Sequence, residues 1–332
     1  MSDRPYGMLA MSPYAKRTAC PPSVLDGFDS FADVDSEALV EDFASAGEAL
    51  ARAEFHVTGW GCPPLTAAAL DAAPRLRLVA HAAGSVKHHV TEDVWNRGVV
   101  VTSAAAANAE PVAEYTRAAV LLACKRAFVA AADYRRDGWP GEERPDDVGY
   151  LRRVVGVVGA SRIGRRVLEL LRGYSMELLL ADPYCDAEEA AALGARLVDV
   201  DELCIASDVV TVHAPELPET RGLVGTRRLS LMRDGAVLIN TARGSLVDTE
   251  ALTEHCRIGR VDAVLDVTDP EPLARDHPLL HLPNVLVTPH VAGAQGTEIA
   301  LLGEYAVEET RRFFAGEPLR GKVTREELPR LA

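Results

Sequence analysis

None of the six cysteines, Cys20, Cys62, Cys124, Cys185, Cys204 and Cys256, stands in a C-x-x-C pair. That excludes the common zinc and dithiol-redox spacings and predicts reduced thiols in a cytoplasmic protein with no metal site. No uninterrupted apolar run reaches the roughly 18 residues of a membrane span. The N-terminus, Met1-Ser2-Asp3-Arg4-Pro5, lacks the basic-then-apolar order of a signal peptide, so export is not expected. Positive charge is also scarce: 35 Lys and Arg against 49 Asp and Glu leave a net charge of −14. Nucleic acid and anionic membrane surfaces need clustered Lys and Arg, so both are excluded as partners. A small anionic substrate is not excluded, because a local pocket of Arg and Lys outweighs a distant acidic surface.

What is present is the balance of a globular chain, 48% apolar and 25% charged. At 332 residues the length favours two domains over one core. Segments 53–61, 76–84 and 98–104 read as strands, with helices over 66–74 and 91–98 capped by Thr66 and Thr91. Segment 109–138 is apolar at helical spacing up to Gly138 and predicts one long helix that bridges two lobes or lies at a subunit interface. A loop follows over 139–150. Strands are then predicted at 154–158, 177–181, 208–213, 235–240, 262–266 and 284–288, with a last helix over 297–315. Strand–helix alternation on this scale predicts an α/β protein with two doubly wound parallel-sheet domains. The expected division is 1–110 plus 297–332 for one domain and 111–296 for the other.

The stretch Val154–Leu171 reads as strand, tight turn and helix start. Its turn, Gly159-Ala160-Ser161-Arg162-Ile163-Gly164, follows the dinucleotide pattern G-x-G-x-x-G except that Ser161 replaces the middle glycine. Asp182 ends the next strand 18 residues after Gly164, near the offset of about 20 expected for the acid that binds the adenosine ribose. The helix N-terminus offers N–H groups to a pyrophosphate, and the Ser161 hydroxyl can donate to a phosphate. Asp182 places negative charge where a 2′-phosphate would need arginine, so NAD is expected over NADP.

Three later stretches carry chemistry. "VLINTARGSLVDTEAL" (237–252) places Arg243 just beyond a strand, "AVLDVTDPEPL" (263–273) carries Asp266 and Glu271, and "NVLVTPHVAGA" (284–294) carries His290. These residues leave successive strand ends on one sheet edge, where ligands of open α/β sheets bind.

Together with "VGVVGASRIG", "HAPELPETRGLVG" (213–225) and "EETRRFFAGEPL" (308–319), these segments resemble the NAD-dependent D-isomer-specific 2-hydroxyacid dehydrogenases over about residues 76–320. The resemblance implies a Rossmann-like NAD-binding domain, a substrate-binding cap domain, and a site in the cleft between them. It implies that Arg243 binds the carboxylate and carbonyl of a 2-hydroxy or 2-keto acid. His290 would act as acid and base, paired with Glu271, which would raise its pKa. Gly159, Ser161, Arg162, Ile163, Gly164, Asp182, His213, Pro215, Thr241, Ala242, Asp266 and Gly293 would hold the cofactor, with Asp266 at the nicotinamide end. A homodimer is expected from the family and from the 109–138 helix.

The family's substrate loop, usually G-x-G-x-D-N-x-D, is here Ala83-Gly84-Ser85-Val86-Lys87-His88-His89-Val90. Gly84 and Ser85 would keep the backbone donors for the substrate carboxylate, and Lys87 would suit a second anionic group on the substrate or else lie exposed at the domain edge. With no long extension after residue 320, no amino-acid-sensing module is expected. Two other readings stay open: an NAD-sensing, corepressor-like binding protein on the same fold, and a dehydrogenase of another anionic donor such as phosphite. Glu271 counts against formate, because formate-specific relatives lack that glutamate.

Overall fold

The computed structural model describes residues 4–141 and 148–328. Part of the loop expected over 139–150 therefore lies outside the described residues. The described residues up to Asn108, with those from Ala294 onward, form one compact unit, and Ala109–Gly293 form the other.

The first unit contains strands β1 (Tyr6–Ala10), β2 (Asp33–Val40), β3 (Phe55–Thr58), β4 (Leu78–His81) and β5 (Val100–Ser103). They run parallel in the order β5-β4-β3-β1-β2, and the short strand Lys322–Val323 adds antiparallel to β5. Alternate residues of β4 enter two apolar clusters, Val79 on one face and Leu78 with Ala80 on the other, as the period-two geometry of a strand requires. Helix Ile299–Ala315 contributes Ile299, Leu302 and Ala306 to the second cluster and stops at Gly316, which takes the left-handed conformation at φ 71°.

The second unit contains β6 (Val154–Val158), β7 (Glu177–Ala181), β8 (Arg196–Leu197), β9 (Val209–Val212), β10 (Ala236–Asn240), β11 (Val261–Leu265) and β12 (Val285–Val287). All are parallel, in the order β12-β11-β10-β9-β6-β7-β8. Leu178 and Leu180 of β7 enter the core on one face, and Leu179 and Ala181 enter it on the other. The central strands are mostly apolar because helices cover both faces. The architecture is two doubly wound α/β sheets.

Three details correct the reading of the sequence. The helix expected over 109–138 is two helices, Ala105–Cys124 and Ala127–Asp137. Between them Arg126 takes a left-handed conformation at φ 48°, and its guanidinium pairs with Asp262 at 3.1 Å. Thr91 stands at a helix start but does not cap it, because its hydroxyl donates to the Leu65 carbonyl at 2.6 Å. Strands β1 and β2, and the short β8, are additional to the expected set.

Candidate active site

The order of the second sheet reverses between β6 and β9: the chain runs outward through β7 and β8, then returns to the other side of β6. The crevice beyond the carboxyl ends of those two strands is where such sheets take nucleotides. The glycine turn lies there. Gly159 has φ 102°, and a Cβ on it would sit 2.6 Å from the Ala214 nitrogen beyond β9. A Cβ on Gly164 would collide with the Gly159 carbonyl. Both glycines are therefore required by the backbone.

Ser161 is not in glycine territory. It has φ −64° and ψ 172°, extended geometry open to any residue, and it caps helix Arg162–Leu171 by accepting the Gly164 N–H at 3.3 Å. That cap leaves the first-turn N–H groups of Arg162 and Ile163 without an intrahelical partner, free for an oxyanion. Asp182 braces the same turn, its Oδ2 accepting Ala160 N–H at 2.6 Å and its Oδ1 accepting Tyr184 N–H at 2.8 Å. The cradle fits a dinucleotide pyrophosphate, with an acid at the next strand end.

His213 stands beside this turn with its ring buried. Nε2 meets Thr211 Oγ1 at 2.9 Å, Nδ1 has no partner among the described residues, and burial pushes the ring's pKa down to about 3. It lines the crevice by backbone and as a neutral ring. The Pro215 carbonyl accepts the Thr220 hydroxyl at 2.6 Å, closing the following turn.

Beyond β10, the side chain of Asn240 shapes the segment Thr241–Arg243. Its Oδ1 accepts Ala242 N–H at 3.0 Å and its Nδ2 donates to the Arg243 carbonyl at 2.8 Å. Thr241 is buried, its hydroxyl 2.9 Å from that of Thr116. Gly244 packs so closely on the Thr268 carbonyl group that any Cβ would collide with it. Arg243 is half-buried, donates Nη1 to the Ala242 carbonyl at 2.6 Å, and pairs with no carboxylate among the described residues.

The carboxylate of Asp266, buried at the end of β11, builds the next turn. Oδ1 accepts the Thr288 hydroxyl at 2.6 Å and Val291 N–H at 2.8 Å, and Oδ2 accepts Ala292 N–H at 2.8 Å. Since Thr288 spends its proton on Asp266, the Tyr115 hydroxyl donates to Thr288 Oγ1 at 2.9 Å. Within this frame His290 takes φ 55°, rare for a side-chain-bearing residue, with its N–H donating to the Asp266 carbonyl at 2.9 Å. The turn presents the imidazole to solvent, 53% exposed, with Nδ1 2.7 Å from Glu271 Oε1. Gly293, half-buried, ends the unit.

One edge of the second unit thus carries Arg243, Asp266, Glu271 and His290 at three neighbouring strand ends, and the glycine turn, Asp182 and His213 around the switch point. Reading the sequence did not find Asn240, Tyr115, Thr116 or Thr288. Asn240 and Thr288 stand within the quoted motifs, but their roles, like those of Tyr115 and Thr116, depend on backbone groups or on partners remote in the chain that the sequence does not show.

Gly84, Ser85 and Lys87 belong to the first unit. Gly84 and Ser85 are half-buried, and among the described residues their N–H groups have no protein acceptor, while Lys87 is exposed. Among the described residues there is no group of three His, Cys, Asp or Glu able to hold a metal ion, and no helix is long and apolar enough to cross a membrane.

The family model described as D-isomer specific 2-hydroxyacid dehydrogenase, NAD binding domain, matches residues 118–292. A D-3-phosphoglycerate dehydrogenase of Archaeoglobus fulgidus is 35% identical over 257 residues, covering 76% of this chain and 48% of that protein. The chain thus spans about half the length of the phosphoglycerate dehydrogenases it matches. A glyoxylate reductase of Korarchaeum cryptofilum is 34% identical over 259 residues, 76% of this chain and 78% of its own. Among solved structures, the TT0316 protein from Thermus thermophilus superimposes with a TM-score of 0.74 at 32% identity, covering 96% of this chain and all of its own. The chain belongs to the D-isomer specific 2-hydroxyacid dehydrogenase family, and its cofactor is a nicotinamide dinucleotide.

Proposed function

We propose that this protein is an NAD-dependent dehydrogenase of a small 2-hydroxy acid, equally a reductase of the matching 2-keto acid. The observation that carries this reading is the His290–Glu271 pair at 2.7 Å, on the same sheet edge as an arginine with no carboxylate partner among the described residues. Glu271 accepts the Nδ1 proton and so selects the tautomer, leaving Nε2 as the nitrogen that exchanges a proton with the substrate oxygen. Arg243 is held through one nitrogen to its own backbone, which leaves the rest of its planar fork for a carboxylate. Asp266 keeps the His290 turn in place, its carboxylate committed to three donors of that turn. Bound NAD supplies the hydride acceptor, and NADH the donor. Asp182 favours NAD, since a 2′-phosphate beside a carboxylate would be repelled. On the first unit, the unpartnered N–H groups of Gly84 and Ser85 are donors of the kind a substrate carboxylate takes.

The test is NADH oxidation against glyoxylate, pyruvate, phenylpyruvate, oxaloacetate and phosphonopyruvate, with NADPH alongside and His290→Ala beside the parent. Turnover with NADH that is lost in His290→Ala is expected. Tight NADH binding with no turnover of any of these acids would overturn the reading in favour of a nucleotide sensor.

A further inference from the structure

Under the Gly84–Ser85 segment, the first unit buries a polar cluster with no part in the chemistry above. Thr58 ends β3 and His81 ends β4, and the two are register partners on the same face of the sheet. The chain leaves β4, runs through 82–88, and returns so that His89 lies over His81, ring centroids 4.5 Å apart. The Thr58 hydroxyl sits between the rings, 2.9 Å from His81 Nδ1 and 3.2 Å from His89 Nε2. All three residues are at least 97% buried.

Burial, reinforced by the neighbouring His89, drives His81 well below the usual histidine range, and burial drives His89 down to about 4. Both rings are therefore neutral, each with one donor and one acceptor nitrogen. The Thr58 hydroxyl has one proton to donate and lone pairs to accept with, so it serves both rings and ties them together. The relay His89–Thr58–His81 joins the two ends of the loop in which, among the described residues, the Gly84 and Ser85 N–H groups have no acceptor.

The rest of the loop is pinned at both ends. The Ala83 carbonyl accepts Ala104 N–H at 3.0 Å, the His89 carbonyl accepts Leu65 N–H at 2.8 Å, and Val86 and Val90 are packed in the core. Joining His81 to His89 through Thr58 fixes the separation of the two ends of the 82–88 loop and so limits the orientations its backbone takes.

We propose that Thr58, His81 and His89 are positioning residues that orient the Gly84–Ser85 backbone for an oxyanion of the substrate. The proposal rests on the reading of that segment as a substrate-carboxylate binder.

The experiment measures oxalate binding to the NADH-loaded protein by calorimetry, and the KM for glyoxylate, in Thr58→Val, Thr58→Ser, His89→Phe and Ser85→Pro. Thr58→Val keeps the volume and breaks the relay at its centre. Oxalate binding is expected to weaken roughly tenfold, in line with the cost of misplacing a binding group. NADH affinity should stay within about twofold, and Thr58→Ser should restore oxalate binding. His89→Phe removes one end of the relay, and serves if Thr58→Val does not fold. A lowered Tm with unchanged oxalate binding in the folded variants would reduce the cluster to a structural role and overturn the proposal. If Ser85→Pro weakens oxalate binding while the relay variants do not, the positioning proposal fails alone. If Ser85→Pro changes neither, the reading of the segment itself fails.

Discussion

His56 is fully buried on β3, stacked on Phe43 with ring centroids 5.6 Å apart, and neither ring nitrogen has a hydrogen-bond partner among the described residues. Burial holds its pKa down to about 4, against 6.5 for an open histidine. Because the folded value lies below the unfolded one, the unfolded chain takes up the proton first as the pH falls. The stability this residue permits is whole above pH 6.5 and is lost progressively between 6.5 and about 4. From pH 7.5 to 5 the loss works out at about 2 kcal/mol, since each pH unit crossed below the unfolded value costs about 1.36 kcal/mol. His56→Leu removes both the titration and two unpartnered nitrogens. The variant should be at least as stable as its parent at pH 7.5, and its lead should grow by about 2 kcal/mol at pH 5. In urea that is roughly a 1 M widening between midpoints. The assay is tryptophan fluorescence in a Trp139→Phe background, which leaves Trp60 and Trp95 to report on the unit that contains His56. A lead that does not change between the two pH values would show that His56 titrates normally in the fold, and the reasoning would be wrong.

Other outcomes follow from the second unit. Ser161→Gly restores the standard motif yet should cost a few tenths of a kcal/mol by weakening the helix cap, and Ser161→Ala about 1 kcal/mol, both read from thermal melts. Gly244→Ala should destabilise by about 3 kcal/mol or more and abolish turnover, because its Cβ has no room against Thr268. Calorimetry and a rate assay check both halves. Asp266→Asn turns one acceptor into a donor facing the N–H groups of the His290 turn, and should lower kcat by roughly 10²-fold while NADH still binds. Unchanged kcat would mean that the turn is held by other contacts.

The strand pattern of the second unit was legible in the sequence, since apolar strands covered on both faces leave uninterrupted runs such as Val154–Val158 and Leu178–Ala181. So were the outer glycines of the turn, Asp182, and the Arg243, Glu271 and His290 set, because each sits at a strand end in a local motif. The sequence could not explain why Ser161 is tolerated; that answer is its extended backbone and its capping hydroxyl. Nor could it reveal the helix break at Arg126, which has no glycine or proline beside it and is accompanied by an ion pair to Asp262, remote in the chain. Strand β2, "DVDSEALV", is a polar edge strand whose pairing with β1 is visible only once both are folded. Local order is set by short-range periodicity, and the sequence carries it. The alignment of Asp266 with the His290 turn, and of Thr58 with His81 and His89, depends on register between strands and on loops that return to them. Those contacts join residues about 20 to 30 positions apart, which only the tertiary structure brings within hydrogen-bonding distance.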